Sequence, residues 1–286
     1  MKTFDPRLTA ARPDLAAEEL QGLVNASRFV AGRAMHVAVE LADLHNAPSH
    51  EAGLDTQALF GEDVMLYEDH EGWGWVQLVR DSYVGYLSMN ALAEGKNNAS
   101  HVVCVNRTFV YPGANMKLPI EFALPLGARV HMVGEEPPFA RLAQGGFVFA
   151  AHLRPLSEPA EDFVLFAEGL IGAPYLWGGK TSQGLDCSGL VQISLAQAGI
   201  DAPRDTDMQQ TALGSAIYFD DDISRLRRGD LVFWKGHVGL MRDAERLVHA
   251  NAHHMLVACE PLRDACARIE SSGGGKVAAL RRLEGD

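Results

Sequence analysis

Apolar and polar positions change their spacing three times along the chain. In PDLAAEELQGLVNA, Leu15, Leu20 and Leu23 recur at near-helical intervals behind Asp14, a residue type that caps helix starts. This pattern predicts one amphipathic helix within an N-terminal arm, residues 1–36, packed as a structural element. From residue 37 the period shortens. MHVAVEL, DVMLYED, WGWVQLV and YVGYLSM each have strand length, and Asn46-Ala47-Pro48-Ser49, Glu71-Gly72 and Asp81-Ser82 between them have turn chemistry. Closely spaced short strands predict a small barrel over residues 37–97. Residues 98–156 repeat the plan in degenerate form: LPLGARVHMV corresponds to LFGEDVMLY, and GGFVFAAHL to SYVGYLSMNAL, so a second barrel is expected by internal duplication. The Pro- and acid-containing PLSEPAED marks the next boundary. Beyond it FVLFAEGLI and residues 189–198 read as helices. DLVFW, HVGLM, RLVHAN, LVACEP and KVAALRRL read as strands, an α+β pattern over residues 160–286.

Composition narrows the classes. The 286 residues are 47% hydrophobic and 22% charged, as in ordinary globular proteins, and the net charge of −12 argues against a general grip on nucleic acid or an anionic membrane. No apolar run approaches the roughly 18 residues of a membrane span, and the first twenty residues carry charges throughout, so the chain is expected to work in the cytoplasm. Cys104, Cys187, Cys259 and Cys266 form no CxxC pair, and neither a disulfide framework nor a cofactor is expected. No metal is expected either. His249, His253 and His254 with Cys259 fall at a strand end and loop instead of on one helix face, and Asp220-Asp221-Asp222 lacks the spacing of a calcium loop.

The chemistry concentrates at Cys187, where the glycine-containing segment PYLWGGKTSQGLD gives way to an apolar helix. A helix N-terminus carries about half a positive charge and unpaired N–H groups, which favour a thiolate and can receive an oxyanion. Asp186 is the expected cap. Downstream, His237 begins one strand and His249 ends the next. If the two strands pair as a hairpin turning near Ala244, the imidazoles fall nearly opposite and one can orient the other. Thiol, base, orienting group and oxyanion donors are what a cysteine hydrolase needs.

Tyr175, Trp177-Gly178-Gly179, Asp186-Cys187-Ser188-Gly189-Leu190, Gly229-Asp230-Leu231-Val232-Phe233, Gly236-His237-Val238-Gly239 and Val248-His249-Ala250 together resemble, in order and spacing, the NlpC-type cell-wall cysteine peptidases of the papain-like fold. Trp73, Trp75, Tyr83, Gly85 and Tyr86 resemble the bacterial SH3-like domain, with Tyr86 where a tryptophan is usual. The resemblance implies a multidomain protein, two small all-β SH3-like barrels followed by an α+β papain-like peptidase domain. It is similar to the γ-D-glutamyl-L-diamino acid endopeptidases that act on murein peptides. By the same resemblance Cys187 is the nucleophile, His237 the base and acid, His249 the residue that orients it, and Tyr175 completes the oxyanion hole with the Cys187 N–H. Trp177, Asp186 and Ser188 would flank the substrate. Asp205 and Thr206 would belong to an "R-D-S" motif with threonine in place of serine, and Tyr83 and Glu51 of the first barrel would close the cleft.

A carboxylate at Asp205, with Glu51, would pair with an unblocked ammonium, so the expected substrate is a released murein tripeptide or tetrapeptide with a free N-terminal L-alanine, as in cell-wall peptide recycling. Two other readings share these residues: a papain-like amidase or acyltransferase on another murein linkage, and a non-catalytic protein that binds wall fragments.

Overall fold

In a computed structural model that describes residues 4–218 and 225–283, the N-terminal arm is extended, not helical. Its regular pieces are β1 (Ala16–Ala17), a 3-10 turn at Glu18–Leu20 and β2 (Phe29–Val30), with β1 and β2 paired in parallel. Tertiary burial overrides helix propensity here. Ala10, Leu15 and Ala17 pack on Tyr67 and Trp75, and the Arg12 guanidinium lies 4.4 Å above the Trp75 ring while bonding Glu68 and the Tyr86 hydroxyl. Asp14 caps nothing, because its carboxylate pairs with Arg12.

The arm belongs to the first of two compact units, Met1–Glu158 and Pro159–Asp286. Seven strands form the first sheet of that unit: β3 (Arg33–Val37), β4 (Leu41–His45), β5 (Leu54–Leu59), β6 (Asp63–His70), β7 (Trp73–Leu78), β8 (Val84–Ser88) and β9 (Leu92–Glu94). Their order is β5-β4-β8-β7-β6-β3-β9, antiparallel throughout. Alternate side chains along these strands, among them Val37, Leu44, Val64, Leu66, Val76, Leu78 and Leu87, fill one core. MHVAVEL, expected as one strand, is split between β3 and β4 by a bend, where Ala38 N–H bonds Ala91 O and Gly61 N–H bonds Val37 O.

The remaining strands of the unit are β10 (His101–Val103), β11 (Arg107–Val110), β12 (Phe122–Pro125), β13 (Arg129–Val130), β14 (Met132–Glu136), β15 (Phe139–Leu142), β16 (Phe147–Phe149) and β17 (Leu153–Pro155). They lie in the orders β13-β10-β17, β11-β12 and β14-β15-β16, with a bridge from Tyr111 to Phe147 carrying the path from β11 to β16. Taken together, this is the neighbour order of the first sheet. Individual bonds repeat as well: Gly61 N–H to Val37 O is matched by Gly127 N–H to Val103 O, and Phe60 N–H to Glu40 O by Leu126 N–H to Asn106 O. A 3-10 turn separates β8 from β9 (Met89–Ala91) and likewise β16 from β17 (Ala150–His152).

The two halves of this unit are joined by backbone contact, not by a slack linker. Arg129 N–H bonds Phe60 O, and the buried Asn97 amide donates to Gly61 O (3.0 Å) and Arg129 O (2.9 Å). Gly61 has φ +77°, and a Cβ there would sit 1.9 Å from Arg129 O. Gly61→Ala should therefore cost about 3 kcal/mol or more, combining left-handed strain with a backbone clash. Asn97→Ala should cost about 1–3 kcal/mol by stripping two buried carbonyls of their donor. Urea unfolding of both variants checks this, and a Gly61→Ala protein of wild-type stability would contradict it.

The second unit opens with α1 (Val164–Gly169) and a small hairpin, β18 (Lys180–Thr181) with β19 (Gly184–Leu185), that leads into α2 (Cys187–Gln197) and α3 (Thr206–Ala212). A six-stranded antiparallel sheet follows. Its members are β20 (Ser215–Ala216), β21 (Leu231–Trp234), β22 (His237–Met241), β23 (Arg246–Asn251), β24 (Leu256–Pro261) and β25 (Ala279–Arg282), in the order β20-β25-β21-β22-β23-β24. Between β24 and β25 runs α4 (Leu262–Ser271), a helix the strand reading did not foresee; Leu262 and Ala265 pack with Val232, Trp234, Met241 and Leu247 of the sheet. Nearly every residue of α2 is buried, and the helix packs against β22 and β23. Asp220, Asp221 and Asp222 lie outside the described residues. Among the described residues no helix is long and apolar enough to cross a membrane.

Candidate active site

The start of α2 is built around one carboxylate. Asp186 is the N-cap, and its Oδ1 accepts from Gly189 N–H (2.7 Å), the helix donor that a cap satisfies. Its Oδ2 accepts from Gly178 N–H (2.9 Å), which ties the Trp177-Gly178-Gly179 loop to the helix. Both oxygens also take Arg204, Nη1 to Oδ1 at 3.0 Å and Nη2 to Oδ2 at 2.6 Å. Arg204 is 1% exposed, and it donates further to Ser188 Oγ (2.8 Å) and Gly179 O (3.4 Å). Burial opposes the charge on this guanidinium, and Asp186 outweighs it, so Arg204 stays protonated. Gly189 is required by packing: a Cβ there would meet Gly179 O at 2.3 Å. Asp186 and Ser188, expected beside the substrate, are thus buried and engaged with the loop and Arg204.

Cys187, the first residue of α2, is buried. Its Sγ lies 3.7 Å from Thr206 Oγ1 and receives the Val238 backbone N–H, which sets it beside β22 next to His237. Thr206, the first residue of α3, therefore touches the thiol itself. Burial pushes the thiol pKa up and Asp186 adds to this, against Thr206, the Val238 N–H and Arg204. The dry surroundings and the capping carboxylate thus work against the thiolate that a helix start favours.

His237 and His249 do meet, though not as ladder partners. The registered pairs between β22 and β23 are Leu240–Val248 and Met241–Leu247, while His237 pairs with Trp234 and His249 with Ala258. Beyond the registered pairs the rings join by side chain, His237 Nε2 to His249 Nδ1 at 2.8 Å. His249 is fully buried, and its Nε2 bonds Glu260 Oε1 at 2.7 Å. Glu260 sits on β24 opposite Leu247, on the same face as Ala258, which makes it the diagonal neighbour of His249. Arg268 of α4 bonds the same Glu260 oxygen. Sequence reasoning missed Glu260 and Arg268, since only the β23–β24 register and α4 bring them there. Burial, with His249 beside it, depresses the His237 pKa to about 3; burial also lowers that of His249, with Glu260 working in the opposite direction.

Of the other expected residues, Tyr175, Trp177 and Asp205 belong to the second unit, and Tyr83 and Glu51 to the first. Tyr175 donates its backbone N–H to Met255 O, and its hydroxyl is pushed up to about 12 by burial and then by Cys187 and Asp186, so it remains an O–H donor near the thiol. Trp177 is 70% exposed on the loop. Asp205 precedes α3 as its N-cap residue. Tyr83 is buried in the core of the first sheet, and Glu51 is exposed on the 46–53 loop of that unit. Val248 pairs with Cys259 and His249 with Ala258, so His249 and Cys259 occupy opposite faces of the sheet, and Cys259 instead contacts Arg246. Among the described residues no three His, Cys, Asp or Glu side chains are arranged to hold a metal ion.

A buried thiol at a helix start, flanked by a strand that bears a hydrogen-bonded imidazole pair, defines the cysteine peptidase class of hydrolases. Residues 172–269 match the NlpC/P60 family, and residues 44–92 match the bacterial dipeptidyl-peptidase Sh3 domain. The chain is a cysteine peptidase that carries an NlpC/P60 domain behind a bacterial SH3 domain. It is 28% identical over 223 residues to the γ-D-glutamyl-L-lysine dipeptidyl-peptidase of Bacillus subtilis (strain 168), covering 69% of this chain and 72% of that one. It is also 28% identical over 239 residues to dipeptidyl-peptidase 6 of Lysinibacillus sphaericus, covering 75% and 86%. In fold it resembles the crystal structure of an NlpC/P60 family protein from Bacillus cereus ATCC 10987, with a TM-score of 0.73 at 20% identity over 87% of this chain and 99% of that one.

Two outcomes follow from the charges at this site. Arg204→Met should destabilise the protein by about 3–5 kcal/mol, because it leaves Asp186 buried without its partner; a thermal unfolding midpoint equal to wild type would contradict it. The neutral histidines give a pH dependence. Unfolded, each takes up a proton near pH 6.5, whereas folded, His237 resists until about pH 3, so the unfolded chain binds more protons below 6.5 and stability falls as the pH drops. Between those two values His237 contributes about 1.4 kcal/mol per pH unit. Urea unfolding at pH 7.5 and 5.5 should show a loss that His237→Asn reduces; an unchanged loss in the variant would refute the assignment.

Proposed function

We propose that this protein hydrolyses the amide between γ-D-glutamate and an L-diamino acid in murein peptides that carry a free N-terminal L-alanine. The observation that carries the proposal is the buried Cys187 thiol beside β22, next to a His237–His249 pair bonded at 2.8 Å. On this reading Cys187 Sγ attacks the γ-carbonyl carbon while its proton passes to His237. The tetrahedral oxyanion is received by the Cys187 N–H at the helix start and by the Tyr175 hydroxyl, which its raised pKa keeps protonated. Collapse breaks the C–N bond, His237 returns the proton to the leaving amine, and a thioester remains. Water, deprotonated by His237, then releases the Ala-Glu dipeptide and restores the thiol.

Support for the substrate comes from the relatives, which are named γ-D-glutamyl-L-lysine dipeptidyl-peptidases; a dipeptidyl-peptidase works from a free amino terminus. On this reading Asp205, the N-cap residue of α3, is the carboxylate of the motif that faces an ammonium, and the exposed Trp177 is an apolar wall for the peptide. A released tripeptide or tetrapeptide, as arises in cell-wall recycling, has that ammonium, whereas L-alanine still amide-linked to the sugar does not. The proposal extends to architecture. Residues 37–97 and 98–156 are read as two SH3-like barrels, on the strength of their shared strand order and repeated hydrogen bonds, and residues 160–286 as an α+β papain-like domain in which α2 packs on an antiparallel sheet.

Incubation with L-Ala-γ-D-Glu-L-Lys, its diaminopimelate counterpart and the N-acetylated forms, followed by mass spectrometry, tests this. The free peptides should be cut at the γ-glutamyl bond and the acetylated ones at least 100-fold more slowly, a preference that Asp205→Asn should erode. Equal rates on both forms would overturn the ammonium reading. Turnover persisting in Cys187→Ala would remove Cys187 as nucleophile.

A further inference from the structure

We infer that Glu260 is a positioning residue that fixes the proton on each ring of the His237–His249 pair and so leaves His237 Nδ1 bare for the thiol. The inference rests on the reading of Cys187 and His237 as nucleophile and base. It starts from the far end of the chain of contacts. An ionised carboxylate only accepts hydrogen bonds, and against the burial that would raise its pKa, the bond from His249 and then the charge of Arg268 hold Glu260 below the usual value. His249 Nε2, 2.7 Å from Glu260 Oε1, must therefore carry the proton. A neutral imidazole has one N–H, and burial keeps His249 neutral, so its Nδ1 is an acceptor. The group facing that acceptor at 2.8 Å is His237 Nε2, which must donate. Neutral His237 then has its lone pair on Nδ1, the nitrogen that can take the Cys187 proton.

Without Glu260 each ring could carry its proton on either nitrogen, and in half of the arrangements His237 would present an N–H to the thiol. The carboxylate also opposes the charge that builds on His237 when it accepts the proton. The charged and titratable groups that bear on the rings come from three further places: Glu260 on β24, Arg268 on α4 and His254 in the turn before β24. Arg268 and His254 both disfavour a positive ring, so Glu260 is the group among them that favours it.

The test uses the full-length protein with 15N-labelled histidine and two-bond 1H–15N correlation spectra. Wild type should show His249 protonated on Nε2 and His237 protonated on Nε2 with Nδ1 bare. A proton on His237 Nδ1 overturns the inference whether or not any peptide is cleaved, so its failure is separate from failure of the proposed function. Glu260→Leu should lower kcat 10- to 100-fold with KM within about twofold, and should slow iodoacetamide alkylation of Cys187. Glu260→Asp should restore part of the loss. In a His249→Asn background, Glu260→Leu should cost nothing more, since it acts through His249. A kcat unchanged in Glu260→Leu, or a full additional loss in the His249→Asn background, would overturn the proposal.

Discussion

The ion pair between Asp186 and Arg204 sets the conditions under which everything near Cys187 is built. Its two oxygens do three jobs at once: they cap α2, hold the loop through Gly178 and bind a guanidinium that is sealed from water. The chain reaches Arg204 only after α2 has ended, so the pair draws the segment before α3 back onto the start of α2 and brings Thr206 against the thiol. Burial is the larger influence on the thiol, and within the pair Asp186 disfavours a thiolate while Arg204 favours it. Burial disfavours both a thiolate at Cys187 and a proton on His237, and the proposed mechanism moves the proton between them when a carbonyl is in place.

Much of this was legible in the sequence. Strand-length alternation marked most strands of the first sheet, and LVACEP and HVGLM lie where expected in the second unit. The motif around Cys187 located the helix start within two residues. The misreadings have a common physical origin. Residues 13–26 do have helical spacing, but Leu15 and Ala17 are more useful buried against Tyr67 and Trp75, a contact that no local pattern encodes. The helix at Leu262–Ser271 was absorbed into a run of strands, although its sequence carries Asp264 in the first turn and Arg268 in the last, a charge order that suits a helix.

At the site, contacts between neighbouring strands of one hairpin were legible and contacts that depend on a further strand were not. His237 and His249 could be paired in advance because both stand at hairpin strand ends. Glu260 could not, because its place depends on the β23–β24 register, and an acidic residue in a strand before a proline reads as surface. Asp186 and Ser188 stand beside the nucleophile by sequence, and their bonds to Arg204, which follows α2 in the chain, were not legible there.

The clasp at Asn97 bears on how such chains change over evolutionary time. The two halves of the first unit share a strand order, and Gly61 and Arg129 approach so closely that a single methyl group would not fit between them. A clasp this tight binds the two halves through their backbones, so a change on one side has to be matched on the other. Substitution at Gly61 or Asn97 is therefore limited by Arg129, a residue nearly seventy positions away from Gly61 along the chain.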